Sequence, residues 1–142
     1  MNIATRIIDA RECGVVIAGV RAYAVGSVSE AAQQFELFSA PGIYHEIDAV
    51  AARQVLAYVL HRDMAYGLLV MPSTQADALA DAFVTLLAED DAKFYTNGDF
   101  GAPDRLPGRL PQWQPATSAT FDTGVLAVAR THVACVWVMD ED

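Results

Sequence analysis

Basic residues are scarce in this 142-residue chain: nine Lys and Arg, with Lys93 the lone lysine, stand against eighteen Asp and Glu. The formal charge of −9 and the pI near 4.5 argue against direct nucleic-acid binding, which depends on Lys and Arg neutralising phosphate charge. The same field attracts a basic protein and raises its rate of encounter. Long hydrophobic runs are also missing. The longest apolar runs, such as Gly67–Met71 and Val133–Met139, fall far short of the about 20 residues that cross a bilayer, so no membrane segment is expected.

Cysteine is sparse. Cys13 and Cys135 both sit in apolar, strand-like contexts, where a free thiol behaves as a small hydrophobe, and two buried thiols are expected rather than a disulfide. The opening residues, Met-Asn-Ile-Ala-Thr-Arg, lack a basic start followed by an apolar stretch and a small-residue cleavage site, which predicts a cytoplasmic location. Arginine in place of lysine, together with abundant alanine, has the look of a GC-rich bacterial genome.

Motifs for chemistry are lacking in the same way. His45, His61 and His132 do not form the close pairs that a structural zinc site needs, so no metal is predicted. There is no Gly-x-Ser-x-Gly for a nucleophile. Neither a P-loop nor a Gly-x-Gly-x-x-Gly is available to cradle phosphates. No cofactor and no catalytic residue is assigned on sequence grounds.

Apolar residues, by contrast, are plentiful. At 54% hydrophobic and 19% charged, the chain can build a core without metal or disulfide support, and the composition of disorder is excluded. The length suits one globular domain over residues 1–142.

Along the chain, Gly14–Gly19 and Val20–Val25 read as two strands of an N-terminal hairpin. Ser27 then caps a helix carrying Ala31, Ala32, Phe35 and Phe38, which Pro41-Gly42 stops. Asp48 caps a second helix to about Asp63, with Val50, Val55, Leu56, Val59 and Leu60 toward the core. Gly67–Met71 reads as an interior strand. A third helix, about Thr74–Ala88 after a Ser73 cap, shows the best stripe: Ala76, Leu79, Ala80, Phe83, Leu86 and Leu87. Phe94-Tyr95 leads into an Asn97-Gly98 turn signal. A Pro- and Gly-rich loop of about 20 residues, 100–119, follows, and loops of that length in small domains are functional or mobile. Phe121–Ala129 and Val133–Met139 make a C-terminal hairpin around a turn at 130–132.

These elements predict an α+β fold, with a mostly antiparallel sheet, hairpins at both termini and about three helices packed on one face. An α/β sheet built around the middle strand is the alternative.

Two acidic clusters stand out. Glu89-Asp90-Asp91 closes the third helix at its negative end, where acids are disfavoured, and Asp140-Glu141-Asp142 ends the last strand. Charges placed against their local preference are candidates for recognition. With Trp113 as an aromatic anchor in the long loop, they point to a protein-binding protein. Its concrete form is an immunity or inhibitor protein that blocks the active site of a basic toxin such as a nuclease. An alternative is an enzyme or small-molecule-binding domain with a pocket under the 100–119 loop, using Asp99, Asp122, Tyr95 or His45. A second alternative is a self-associating subunit in which Val133–Met139 is an exposed edge strand, and both monomer and homodimer stay open.

Overall fold

A computed structural model describes residues 2–102 and 109–142 of the chain. Five strands, β1 (Val15–Arg21), β2 (His45–Ile47), β3 (Lys93–Thr96), β4 (Phe121–Val128) and β5 (Val133–Asp140), form one antiparallel sheet in the order β1-β5-β4-β3-β2. Among the described residues four α-helices accompany it: α1 (Ile3–Ala10), α2 (Val28–Gln34), α3 (Ala49–His61) and α4 (Ser73–Ala88). The fold class is α+β, with the expected C-terminal hairpin formed by β4 and β5.

The helices do not all pack on one face as expected: both faces of the sheet are covered, because β4 and β5 are apolar on both sides. Helices α1, α3 and α4 pack Ile7, Leu56, Leu60, Phe83 and Leu87 against Val125, Ala127, Ala134 and Val136. The opposite face receives α2 and its following segment, with Ala31, Ala32, Phe35 and Tyr44 against Leu126, Cys135 and Trp137. Alternate residues of β5 serve the two cores, so Val133–Val138 is apolar throughout and fully buried, as a strand covered on both sides must be.

That position corrects the expectation of an exposed edge at Val133–Met139. Strand β5 lies between β1 and β4, and the open edges belong to β1 and β2.

The N-terminal hairpin does not form. Strand β1 runs without a break from Val15 through Gly19 to Arg21 and pairs with β5, Val15 opposite Met139 and Arg21 opposite Val133. Of its expected partner Val20–Val25, the first two residues belong to β1 itself and 22–25 are not a strand, and the residues before β1 include helix α1, whose Asn2 side chain accepts the Thr5 N–H at 2.9 Å. The long-range β5 pairing supplies more buried apolar contact than a local turn could.

Gly67–Met71 is not an interior strand either. It makes an isolated bridge, Arg62 with Leu69, and among the described residues no sheet strand runs alongside it; of its side chains Met71 reaches the helix-side core while Leu68 and Leu69 stay exposed. Smaller corrections concern single side chains. Phe38, Val50 and Leu86 are exposed rather than core, and α4 starts at Ser73 behind Pro72 without a side-chain cap. The Ser27 and Asp48 caps form as expected, Ser27 accepting from the Glu30 N–H and Asp48 from the Ala51 N–H at 2.8 Å. Glu30 in turn accepts the Gly26 N–H, one residue ahead of the cap, at 3.0 Å.

Among the described residues the 100–119 segment carries no helix or strand, and 103–108 lie outside them. The segment is tied down at Gly98, which bridges Trp113. A Cβ at Gly98 would run into the Gln112 carbonyl and the Trp113 side chain, so only glycine allows the approach. No helix among the described residues is long and apolar enough to cross a membrane.

Candidate functional site

The site is built where β5 ends and β1 begins. Gly14, at φ +66°, turns the chain into β1 with its backbone against Met139 and Asp140, a position in which any Cβ would collide with both. A cleft of about 460 Å³ opens there, lined by Cys13, Gly14, Val15, Asp63, Thr117, Ser118, Ala119, Met139, Asp140 and Glu141. Three of these residues are acids and none is basic.

The floor is rigid. Asp140 is buried and receives the Arg11 guanidinium through two parallel bonds of 2.9 Å, while its Oδ2 also accepts the Met64 N–H at 2.9 Å. Arg11 in turn donates through Nε to the Val59 carbonyl at 2.8 Å. One ion pair therefore fixes the end of β5, the end of α3 and the segment after α1. Glu141 is exposed and accepts from the Thr120 backbone N–H at 3.2 Å, which leaves its charge at the rim beside exposed Asp142.

One wall is the loop after α3. Asp63 folds it by accepting the Tyr66 N–H at 3.1 Å and the Leu68 N–H, and Arg62 donates to the Gly67 carbonyl at 2.8 Å. The polar groups are satisfied within the loop, and its apolar side chains are left outside. Tyr66, Leu68 and Leu69 are 66%, 65% and 63% exposed. Three large apolar residues within four positions of one loop therefore stand in solvent. Reading Gly67–Met71 as a strand hid this patch, although Asp63 and Gly67 are turn-forming residues that flank it.

In comparisons with known proteins, no family model, no curated protein and no solved structure matches the chain. The functional reading therefore rests on geometry and charge.

The other predicted residues lie elsewhere. Glu89, Asp90 and Asp91 sit at the β4–β5 turn, at the far end of the eight-residue β5 from Asp140, Glu141 and Asp142, so the two clusters stand roughly 25 Å apart. Asp90 has a folding role: it accepts the Thr131 N–H at 2.9 Å and contacts His132 Nδ1 at 3.0 Å, pinning the hairpin turn to the end of α4. The Thr131 N–H is the main reason that its carboxyl is held below the usual carboxylate range, with His132 and the Thr131 hydroxyl adding to it. Glu89 is exposed, and Asp91, also exposed, lies 3.8 Å from Arg130.

Trp113 is half-buried between Phe100 and Phe121, with ring centroids 5.1 Å and 5.5 Å away, and so anchors its own loop. The residues named for a pocket under that loop separate into three places. His45 and Asp99 share a cleft of about 320 Å³ with Gln54, Thr96 and Phe100, but Asp99 is engaged by Arg109 and by the Gln112 N–H at 2.8 Å. Tyr95 packs at the margin of the core on the other sheet face. Asp122 is fully buried and accepts from Trp137, Asn97, Ala116 and Thr117. Among the described residues no group of three or more His, Cys, Asp or Glu side chains is placed to hold a metal ion.

Proposed function

We propose that this chain works by binding another protein. In its most concrete form it is a bacterial immunity or inhibitor protein that acts in the cytoplasm and covers the active site of a basic toxin such as a nuclease. The observation that carries the reading is that Asp63, one of the three acids and no bases lining the cleft, also folds the loop that leaves Tyr66, Leu68 and Leu69 exposed.

Apolar anchors supply most of the energy of an interface, and surrounding charge selects the partner and speeds its arrival. Carboxylates standing where phosphates would sit can block the positive cleft of a nuclease. Of the residues singled out from sequence, Glu141 and Asp142 keep this role at the cleft rim, with Asp140 beneath them as the fixed floor. Glu89 and Asp91 offer a second negative site at the opposite sheet end.

The test is a pull-down with the tagged protein from its own cells at low and at high salt, repeated with a Tyr66→Ser, Leu68→Ser, Leu69→Ser variant. One basic protein captured in stoichiometric amount, weakened by salt and lost in the variant, is the expected result. Capture that is indifferent both to salt and to the variant would overturn the reading.

A further inference from the structure

The two open edges of the sheet are not alike. Strand β2 is three residues long and carries exposed His45 and Glu46, the short and polar form in which natural sheets end. Strand β1 has seven residues in unbroken register with β5, and Gly14 through Val20 contain no charge and no proline. Apart from the Tyr23 N–H on the Arg21 carbonyl, no main-chain hydrogen bond among the described residues joins β1 to anything but β5. Side chains from Val16 to Val20 are only half-buried, and Val15 is 59% exposed. None of the usual protections of an edge strand is present: inward charge, bulge, proline or brevity.

We propose that β1 pairs antiparallel with β1 of a second copy, joining two sheets into one across a two-fold axis at Ala18. The charges at its ends support a second copy as the occupant. The N-terminal end of β1 adjoins the acidic cleft, with Glu12 before it and Glu141 across from it, whereas the C-terminal end carries Arg21, which is exposed while its guanidinium also donates to the Gln34 carbonyl and stacks on Phe35 at 4.5 Å. An antiparallel mate brings each Arg21 to the acidic end of the other copy. Centring on Ala18 also pairs all seven residues. Val16 then faces Val20, Ile17 faces Gly19 and Val15 faces Arg21, so like sides of the two sheets meet with apolar residues together. This inference does not depend on the proposed function.

Sedimentation equilibrium over a wide concentration range tests it, using wild type, Val15→Lys, Arg21→Glu and the double variant. Wild type is expected to form a dimer. Val15→Lys sets two cations opposite each other, and Arg21→Glu removes the attraction to the acidic end. Each contact occurs twice across the axis, so each single change weakens the dimer roughly tenfold. The double variant places Lys opposite Glu and is expected to regain the loss. Because Val15 is exposed, its variant keeps the fold, which circular dichroism confirms. A wild type that stays monomeric at every concentration, a dimer unmoved by Val15→Lys, or a double variant no better than the singles would each overturn the pairing.

Discussion

The indole N–H of Trp137 donates to Oδ1 of Asp122 across the β4–β5 ladder at 3.1 Å, and neither residue is open to solvent. The same carboxylate accepts Asn97 Nδ2 at 3.1 Å, the Ala116 N–H at 3.0 Å and the Thr117 hydroxyl at 3.1 Å. Asn97 extends the network by accepting from Thr123 Oγ1 at 2.7 Å. A buried carboxylate is tolerated only when its lone pairs are filled, and here they are. The network sews the segment before β4 onto the sheet.

Replacing Asp122 with Ala leaves several buried donors without a partner, each costing about 1–3 kcal/mol. Asp122→Ala is therefore expected to lose at least about 3 kcal/mol, and Asp122→Asn less, because one acceptor oxygen survives. Urea unfolding followed by tryptophan fluorescence measures both. A wild-type midpoint for Asp122→Ala would show that the network contributes nothing to stability.

Arg11 and Asp140 form a buried pair, and removing one partner strands the other's charge at about 3–5 kcal/mol. Arg11→Met and Asp140→Leu are each expected to destabilise the protein by that order, while the double variant recovers much of the loss. Additive losses in the double variant would mean that the two side chains act independently.

The apolar loop and the core must respond differently. Leu68→Ser and Leu69→Ser change folding stability by no more than about 0.5 kcal/mol, because both side chains already stand in solvent. Phe83→Ala, with its ring fully buried between helices and sheet, costs about 3–5 kcal/mol. Leu86→Ala, one helical turn along but exposed, falls with the loop variants. Thermal unfolding of the four proteins checks the ordering.

Thiol chemistry separates the two cysteines. Cys13 lines the cleft and is partly exposed, whereas burial pushes the Cys135 thiol well above its ordinary value. One equivalent of thiol is expected to react with a disulfide reagent in the native protein and a second only after denaturation. Tyr44 is shifted in the same direction, chiefly by burial, with Cys135 and Asp122 adding to it. The unfolded chain releases these protons near 9.0 and 10.0 while the folded chain keeps them, so stability declines as pH rises past those values. Two thiols reacting at equal rates in the native state would contradict the placement of Cys135.

At the acid end the sign reverses. Asp90 titrates below its ordinary 3.8, so its contribution is full above that value and is lost as pH falls through the lower folded one. The protection of the Thr131 amide, the intrinsic exchange rate divided by the observed one at the same pH, is expected to fall over that interval, and to be low and unchanging with pH in Asp90→Ala.

Much of the architecture was legible because it is written in local periods. The stripe of Ala76, Leu79, Ala80, Phe83 and Leu87 defines α4, and Asp48 and Ser27 announce their helices by capping chemistry. The hairpin of Phe121–Val128 with Val133–Asp140 follows from two apolar runs around one turn. Helix α1 was missed because eight residues hold a helix only when packed, and the partner of its Ile7 comes from elsewhere in the chain. Gly67–Met71 was misread because an apolar run states a wish for burial, not whether a neighbouring strand exists to grant it.

The amino-acid order by itself determined the negative charge, the α+β class and the identity of the acidic residues. Tertiary structure decided which of those acids are free. Asp140 is neutralised by Arg11 from 129 residues away, Asp90 is used by a turn it meets only in the folded state, and the two clusters end at opposite ends of one strand. It also placed β5 inside the sheet, between β1 and β4, and left β1 at its edge. Local sequence sets the propensity of each segment, but pairing and exposure depend on contacts between residues far apart in the chain, and those are fixed only when the whole core closes.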